Sequence, residues 1–82
     1  MFNLLYSEQA LKQLEKLEKQ VKERILKTLE RIRIRPISHV KKLVSSPYFR
    51  LRAGDYRVIL DIKNYEMIIL VIEVGHRRNV YK

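Results

Sequence analysis

The sequence predicts an α+β fold: an N-terminal strand, a helical segment and three antiparallel strands, with the helical part packed on one face of the sheet. Three observations carry this expectation. Apolar residues step by three or four from Ala10 to Ile32, apolar and charged residues alternate from Tyr48 to Ile62, and residues 67–74 are apolar on both sides.

Phe2, Leu4 and Tyr6 alternate with Asn3 and Leu5, a short strand pattern, and Ser7 followed by Glu8 is a helix start. Ala10, Leu14, Leu17, Val21, Ile25, Leu29 and Ile32 then form one apolar stripe, with Lys, Glu and Arg on the other faces. The amphipathic segment runs over about residues 7–35. That is long for so small a chain, yet residues 17–20 hold no Gly or Pro, so one bent helix and a helical hairpin both remain open. Pro36 ends the pattern because its ring cannot continue the hydrogen-bond ladder. Residues 37–47 read as a loop. Residues 48–52 and 56–62 are strands joined by a two-residue turn at Gly54 and Asp55. After a polar turn at 63–66, residues 67–74 have the two-sided apolar character of a central strand, which Gly75 stops; residues 76–82 form a short basic tail.

Eighty-two residues suffice for one core, so a single domain over 1–82 is expected. With 46% hydrophobic residues, two Gly and two Pro, the chain is neither disordered nor collagen-like. Eighteen Lys and Arg against nine Asp and Glu leave a net charge of +9, which favours a polyanionic partner. No cysteine is present, which excludes disulfides and thiolate metal sites and fits a reducing cytoplasm. The first residues lack the basic start and longer apolar run of a signal peptide, and no stretch approaches the ~18 apolar residues of a membrane span. No membrane partner is expected.

If Gly54 and Asp55 form the turn, Arg52 faces Arg57 and Arg50 faces Ile59, while Phe49, Leu51, Val58, Leu60 and Ile62 point to the core. Three arginines then share the other face, where like charges across a strand pair repel unless an anion, or Asp55 and Asp61, neutralises them. Arg77 and Arg78 follow the last strand and Tyr81 lies within reach. Guanidinium groups hold phosphate bidentately at any working pH, so a phosphate cradle is the direct reading. His39 and His76 stand in no metal-ligand spacing, and two glycines leave no room for a glycine-rich nucleotide loop, so neither a metal nor a cofactor is expected. His76 beside Arg77 is a candidate for proton transfer or phosphate contact; Lys41 and Lys42 add charge before the hairpin.

Lys42-Leu43, the hairpin run Tyr48-Phe49-Arg50-Leu51-Arg52-Ala53-Gly54-Asp55-Tyr56-Arg57-Val58 and the ending Val74-Gly75-His76-Arg77-Arg78-Asn79-Val80-Tyr81 resemble the RelE/ParE superfamily of toxin-antitoxin toxins over nearly the whole chain. The resemblance implies a RelE-like microbial RNase toxin fold, with a helical hairpin broken near residues 17–20. For the RelE branch it implies a metal-independent endoribonuclease that cuts mRNA in the ribosomal A site and so inhibits translation. There the RNA 2′-hydroxyl attacks its own phosphate, leaving a 2′,3′-cyclic phosphate and a 5′-hydroxyl. It implies a cognate acidic, RelB-like antitoxin that wraps the toxin.

Carried over residue by residue, Arg50 and Arg52 hold phosphates, Arg57 stabilises the pentacoordinate transition state, Arg77 assists the leaving oxygen and Tyr81 is the candidate base. Lys42, His76 and Arg78 are further phosphate contacts, with Lys42 a weaker candidate base. His76 stands where the best-studied RelE branch often carries lysine, and fewer residues separate Arg77 from Tyr81. Two rival activities share the fold or the basic face: a ParE-like toxin that poisons DNA gyrase, and an RNA-binding module without catalysis.

Overall fold

The computed structural model describes residues 1–76 and 78. β1 (Asn3–Tyr6) leads into α1 (Glu8–Glu15) and α2 (Lys19–Arg31). A 3-10 turn (Pro36–His39) then precedes β2 (Lys41–Lys42), β3 (Phe49–Ala53), β4 (Tyr56–Lys63) and β5 (Ile68–His76). The strands form one sheet in the order β1-β5-β4-β3-β2, with β1 parallel to β5 and the other neighbours antiparallel. This is the expected α+β arrangement with its helical hairpin. Among the described residues no helix is long and apolar enough to cross a membrane.

Ser7 starts α1 as its composition demands: its hydroxyl accepts from the Ala10 N–H at 3.0 Å. The same hydroxyl donates to the Ile72 carbonyl at 2.7 Å, and Gln13 Oε1 accepts from the Val74 N–H at 2.6 Å. Both bonds lie beside the register shift at Ile59/Leu60, where the β4–β5 ladder is interrupted and backbone groups need other partners. The α1–α2 break spans residues 16–18, overlapping the expected 17–20. Neither Gly nor Pro makes it. Lys16 closes α1 through its N–H to Gln13 and Leu14, Leu17 packs against the core, and Glu18 enters α2 in an extended conformation. Tertiary packing of Leu17 thus redirects a stripe that is locally continuous.

Ala10, Leu14, Ile25, Leu29 and Ile32 meet Leu51, Ala53, Val58, Leu60, Ile62, Ile69, Val71 and Val74 in the main core. A smaller apolar cluster of Leu43 and Ile59, with Ile72 against it, lies apart from that core.

Three expectations need correction. Part of the 37–47 loop is structured: Pro36 is buried at the start of the 3-10 turn, and Lys41–Lys42 pair with Arg50 and Phe49 as an edge strand. A two-residue strand has no alternation to read. Because β2 lies beyond β3, the middle strand of five is β4; β5 is interior, between β1 and β4. Nor does β5 occupy 67–74: Met67, with φ of 56°, closes the preceding turn, and Gly75 continues the ladder opposite Arg57 instead of stopping it.

The hairpin turn falls at Gly54-Asp55, flanked by the Ala53–Tyr56 pair, with Gly54 at φ +62°. Gly54→Ala is expected to destabilise by about 1–2 kcal/mol, the strain of a side chain in the left-handed region. The new Cβ would also sit 3.1 Å from Arg24 Nη1, the far end of a flexible side chain that can move aside. Thermal unfolding followed by circular dichroism should show Tm falling by roughly 4–8 °C per kcal/mol in a chain of this size.

Candidate active site

β3 and β4 each send alternate residues to opposite faces. Leu51, Ala53, Val58 and Leu60 go to the helices; Arg50, Arg52 and Arg57 go to the other side, with Arg52 directly opposite Arg57 and Arg50 opposite Ile59. β2 adds Lys41 opposite Arg50. Arg50, Arg52 and Arg57, together with Lys41 and His39, line one cleft of about 140 Å³. The structure therefore brings together the three arginines of the hairpin.

Among the described residues nothing neutralises the cluster. Among the described residues the ion pairs are Lys12–Glu8, Arg33–Glu30 and Lys63–Asp61, and none involves the cleft. Asp61 turns to Lys63 at 4.0 Å, and Asp55 pairs with no described cation. Arg52 facing Arg57 is therefore a like-charge pair with no acid beside it among the described residues, unfavourable by roughly 0.2–1 kcal/mol. Arg50 and Arg57 are partly buried, which limits screening by water, and Arg52 is exposed.

Lys42 and His76 face the other side of the sheet. Lys42 pairs with Phe49, and its Nζ sits 5.7 Å from that ring's centroid, on the helix side of the sheet. Its neighbour Lys41 takes the place in the cleft. His76 pairs with Tyr56 and packs edge-on against its ring, with centroids 5.6 Å apart. It shares the parity of buried Val74, so it too faces away from Arg57, whose own partner on β5 is Gly75. Arg78 is exposed, and its N–H lies 3.4 Å from His76 Nδ1. Arg77 and Tyr81 lie outside the described residues.

Sequence reasoning missed His39 and Lys41. The signal was present for Lys41: Val40 packs on the core and Leu43 belongs to the opposite-face cluster, so alternation puts 41 and 43 together, whereas His39 ends the 3-10 turn and follows no strand period. Without β2 recognised, that parity is invisible.

A second, larger concavity of about 510 Å³ separates α2 from the hairpin turn. Arg24, Lys27 and Arg31 line it from the helix and Arg52 from β3, against the single acid Glu23. Arg52 is common to both depressions. Tyr6, on the far edge strand, has its phenol pKa raised by burial and by Glu30, with Arg33 opposing; it is remote from the cleft.

A shallow basic cleft on a small sheet, backed by a helical hairpin, is the architecture of a compact toxin domain. The sequence matches the model of the ParE toxin of the type II toxin-antitoxin system, parDE, over residues 4–81, and the chain belongs to that family, within the RelE/ParE superfamily. No curated protein matches it by sequence. The structure is similar to Escherichia coli RelE in the intact RelBE toxin-antitoxin complex, with 28% identity, a TM-score of 0.79, and 93% of this chain and 96% of that one covered. It is also similar to the RelBE2 toxin-antitoxin complex of Mycobacterium tuberculosis, at 20% identity and a TM-score of 0.87, covering 95% and 93% of the two chains. The archaeal RelE-RelB complex of Pyrococcus horikoshii matches at 24% identity and a TM-score of 0.81, covering 96% and 98%. The last two likenesses speak to the fold alone.

Proposed function

We propose that this toxin is a metal-independent endoribonuclease that cuts mRNA in the ribosomal A site and so inhibits translation. The observation that carries the reading is the convergence of Arg50, Arg52 and Arg57, with Lys41, on one cleft without a carboxylate partner among the described residues. Such a cleft suits a phosphodiester on which charge builds during attack by the adjacent 2′-hydroxyl. Arg50 and Arg52 hold the scissile and flanking phosphates. Arg57, between them and β5, stabilises the pentacoordinate state. The resemblance adds Arg77 at the leaving oxygen and Tyr81 as candidate base, with Arg78 contacting a flanking phosphate.

Arg52 joins the cleft to the groove on α2, so flanking RNA has a continuous basic surface to follow. Lys27→Ala combined with Arg31→Ala is expected to flatten the dependence of log RNA affinity on log salt by about 1.4, at roughly 0.7 for each single-strand phosphate that is no longer neutralised. Titration of labelled single-stranded RNA at several salt concentrations measures this slope.

A cognate acidic, RelB-like antitoxin is the proposed partner in the cytoplasm, since the net charge of +9 favours an acidic chain and the 28% identical E. coli RelE is solved within a RelBE complex. The family match favours one further reading, a ParE-like toxin directed at DNA gyrase. Incubating the protein with programmed ribosomes and mapping RNA ends separates the two. Cuts within A-site codons that end in 2′,3′-cyclic phosphate support the nuclease. Loss of translation over intact mRNA, or trapped gyrase–DNA complexes, sinks it, and RNA retained but uncut identifies a binding module.

A further inference from the structure

We infer that His39 is the base that takes the proton from the attacking 2′-hydroxyl, an assignment that rests on the nuclease reading and moves this role away from Tyr81. The placement of His39 follows from backbone anchoring on both sides. Pro36 is buried at the start of the 3-10 turn, the Ser38 N–H donates to the Arg35 carbonyl at 3.2 Å, and Val40 is extended and packs on the core. Val40 turns inward and Lys41 outward, and His39, the last residue of the 3-10 turn, lines the arginine cleft beside Lys41. His39 is therefore held at the rim of the site by its neighbours although its own side chain is exposed.

The chemistry of the lining singles it out. Among the described residues, the other side chains around this cleft are Lys41 from β2, Arg50 and Arg52 from β3, and Arg57 from β4, all cations without an acceptor lone pair. Guanidinium groups keep their protons throughout the working range, and lysine parts with its proton only well above neutrality. An imidazole exchanges a proton near neutral pH and offers a lone pair when unprotonated. No described group hydrogen-bonds the His39 ring, so both nitrogens are open to a substrate. In the step, an imidazole nitrogen removes the 2′-hydroxyl proton as the 2′-oxygen bonds to phosphorus. The bond from phosphorus to the 5′-oxygen breaks, its electron pair remains on that oxygen, and water supplies the proton that completes the 5′-hydroxyl. The arginines carry the charge that builds on the phosphoryl oxygens.

The test compares wild type, His39→Ala and His39→Asn on programmed ribosomes under single-turnover conditions, with and without added imidazole. Affinity is measured separately with a 2′-O-methyl RNA, which cannot cyclise. Both variants should lose about 10²–10⁴-fold in cleavage rate, the usual range for a general base, while binding the blocked RNA within twofold of wild type. Added imidazole should restore part of the rate to His39→Ala. Cleavage by His39→Ala at the wild-type rate, or a loss that imidazole does not reverse, overturns the assignment. A wild-type protein that engages ribosomes and leaves mRNA whole overturns the nuclease reading itself, and the base with it.

Discussion

If the toxin is the proposed nuclease, replacing Arg57 by alanine is expected to slow mRNA cleavage by about 10²–10³-fold, the loss that follows removal of one preorganised donor to developing charge. Arg57 sits on β4, the middle strand, with Arg52 across from it on β3 and Gly75 on β5. Its backbone is held on both sides, so the root of its side chain is fixed beside the cleft before substrate arrives. A preorganised cation stabilises the pentacoordinate phosphorane more than the ground-state diester, because that state carries the extra charge. The loss should therefore appear in kcat, with a smaller change in KM. Arg57→Lys should recover only part of the rate, since an ammonium is a point charge without the planar fork that spans two phosphoryl oxygens. The fold should survive, because Arg57 belongs to neither apolar cluster and its removal relieves the repulsion with Arg52. Equal loss of RNA affinity and rate would instead make Arg57 a docking contact.

The largest expected effect on stability is at Leu60. It is 0% exposed, on the middle strand, within the core between sheet and helices. Leu60→Ala removes buried methyl groups and leaves a cavity that the paired strands on either side cannot close, at a cost of about 2–5 kcal/mol. A chain of this length has roughly 4–12 kcal/mol of total stability, so this one change takes a large share of it. Urea denaturation should show the midpoint falling with an unchanged slope. A shift under about 1 kcal/mol would mean that the core around Leu60 repacks freely.

The elements with many residues and one period are legible from sequence. The stripe from Ala10 to Ile32 places the helical face, and alternation around Gly54 gives the register that pairs Arg52 with Arg57. The helix break is not legible from the residues, because it depends on Leu17 packing into a core that no local pattern describes. Lys41–Lys42 escape for a different reason: two residues carry no periodicity, and their strand identity comes wholly from pairing with Arg50 and Phe49. That omission has two consequences at the site. Sequence alone names Lys42 and not Lys41 as a candidate phosphate contact, and it gives His39 no role once a metal site is set aside. His76 is misplaced because Gly75 reads as a stop, whereas the strand passes through it and carries His76 to the helix side.

The two arginine-bearing strands serve both sides of the sheet with the same few residues: Leu51 and Ala53 anchor while Arg50 and Arg52 project, and Val58 and Leu60 anchor while Arg57 projects. Inserting or deleting one residue in either would turn every later side chain over, sinking guanidiniums among leucines and stranding leucines in water. Along 49–53 and 56–60 substitution preserves this division of faces, whereas a change of length does not unless a bulge absorbs it. Changes of length are left to connections such as 44–48, where no ladder keeps count.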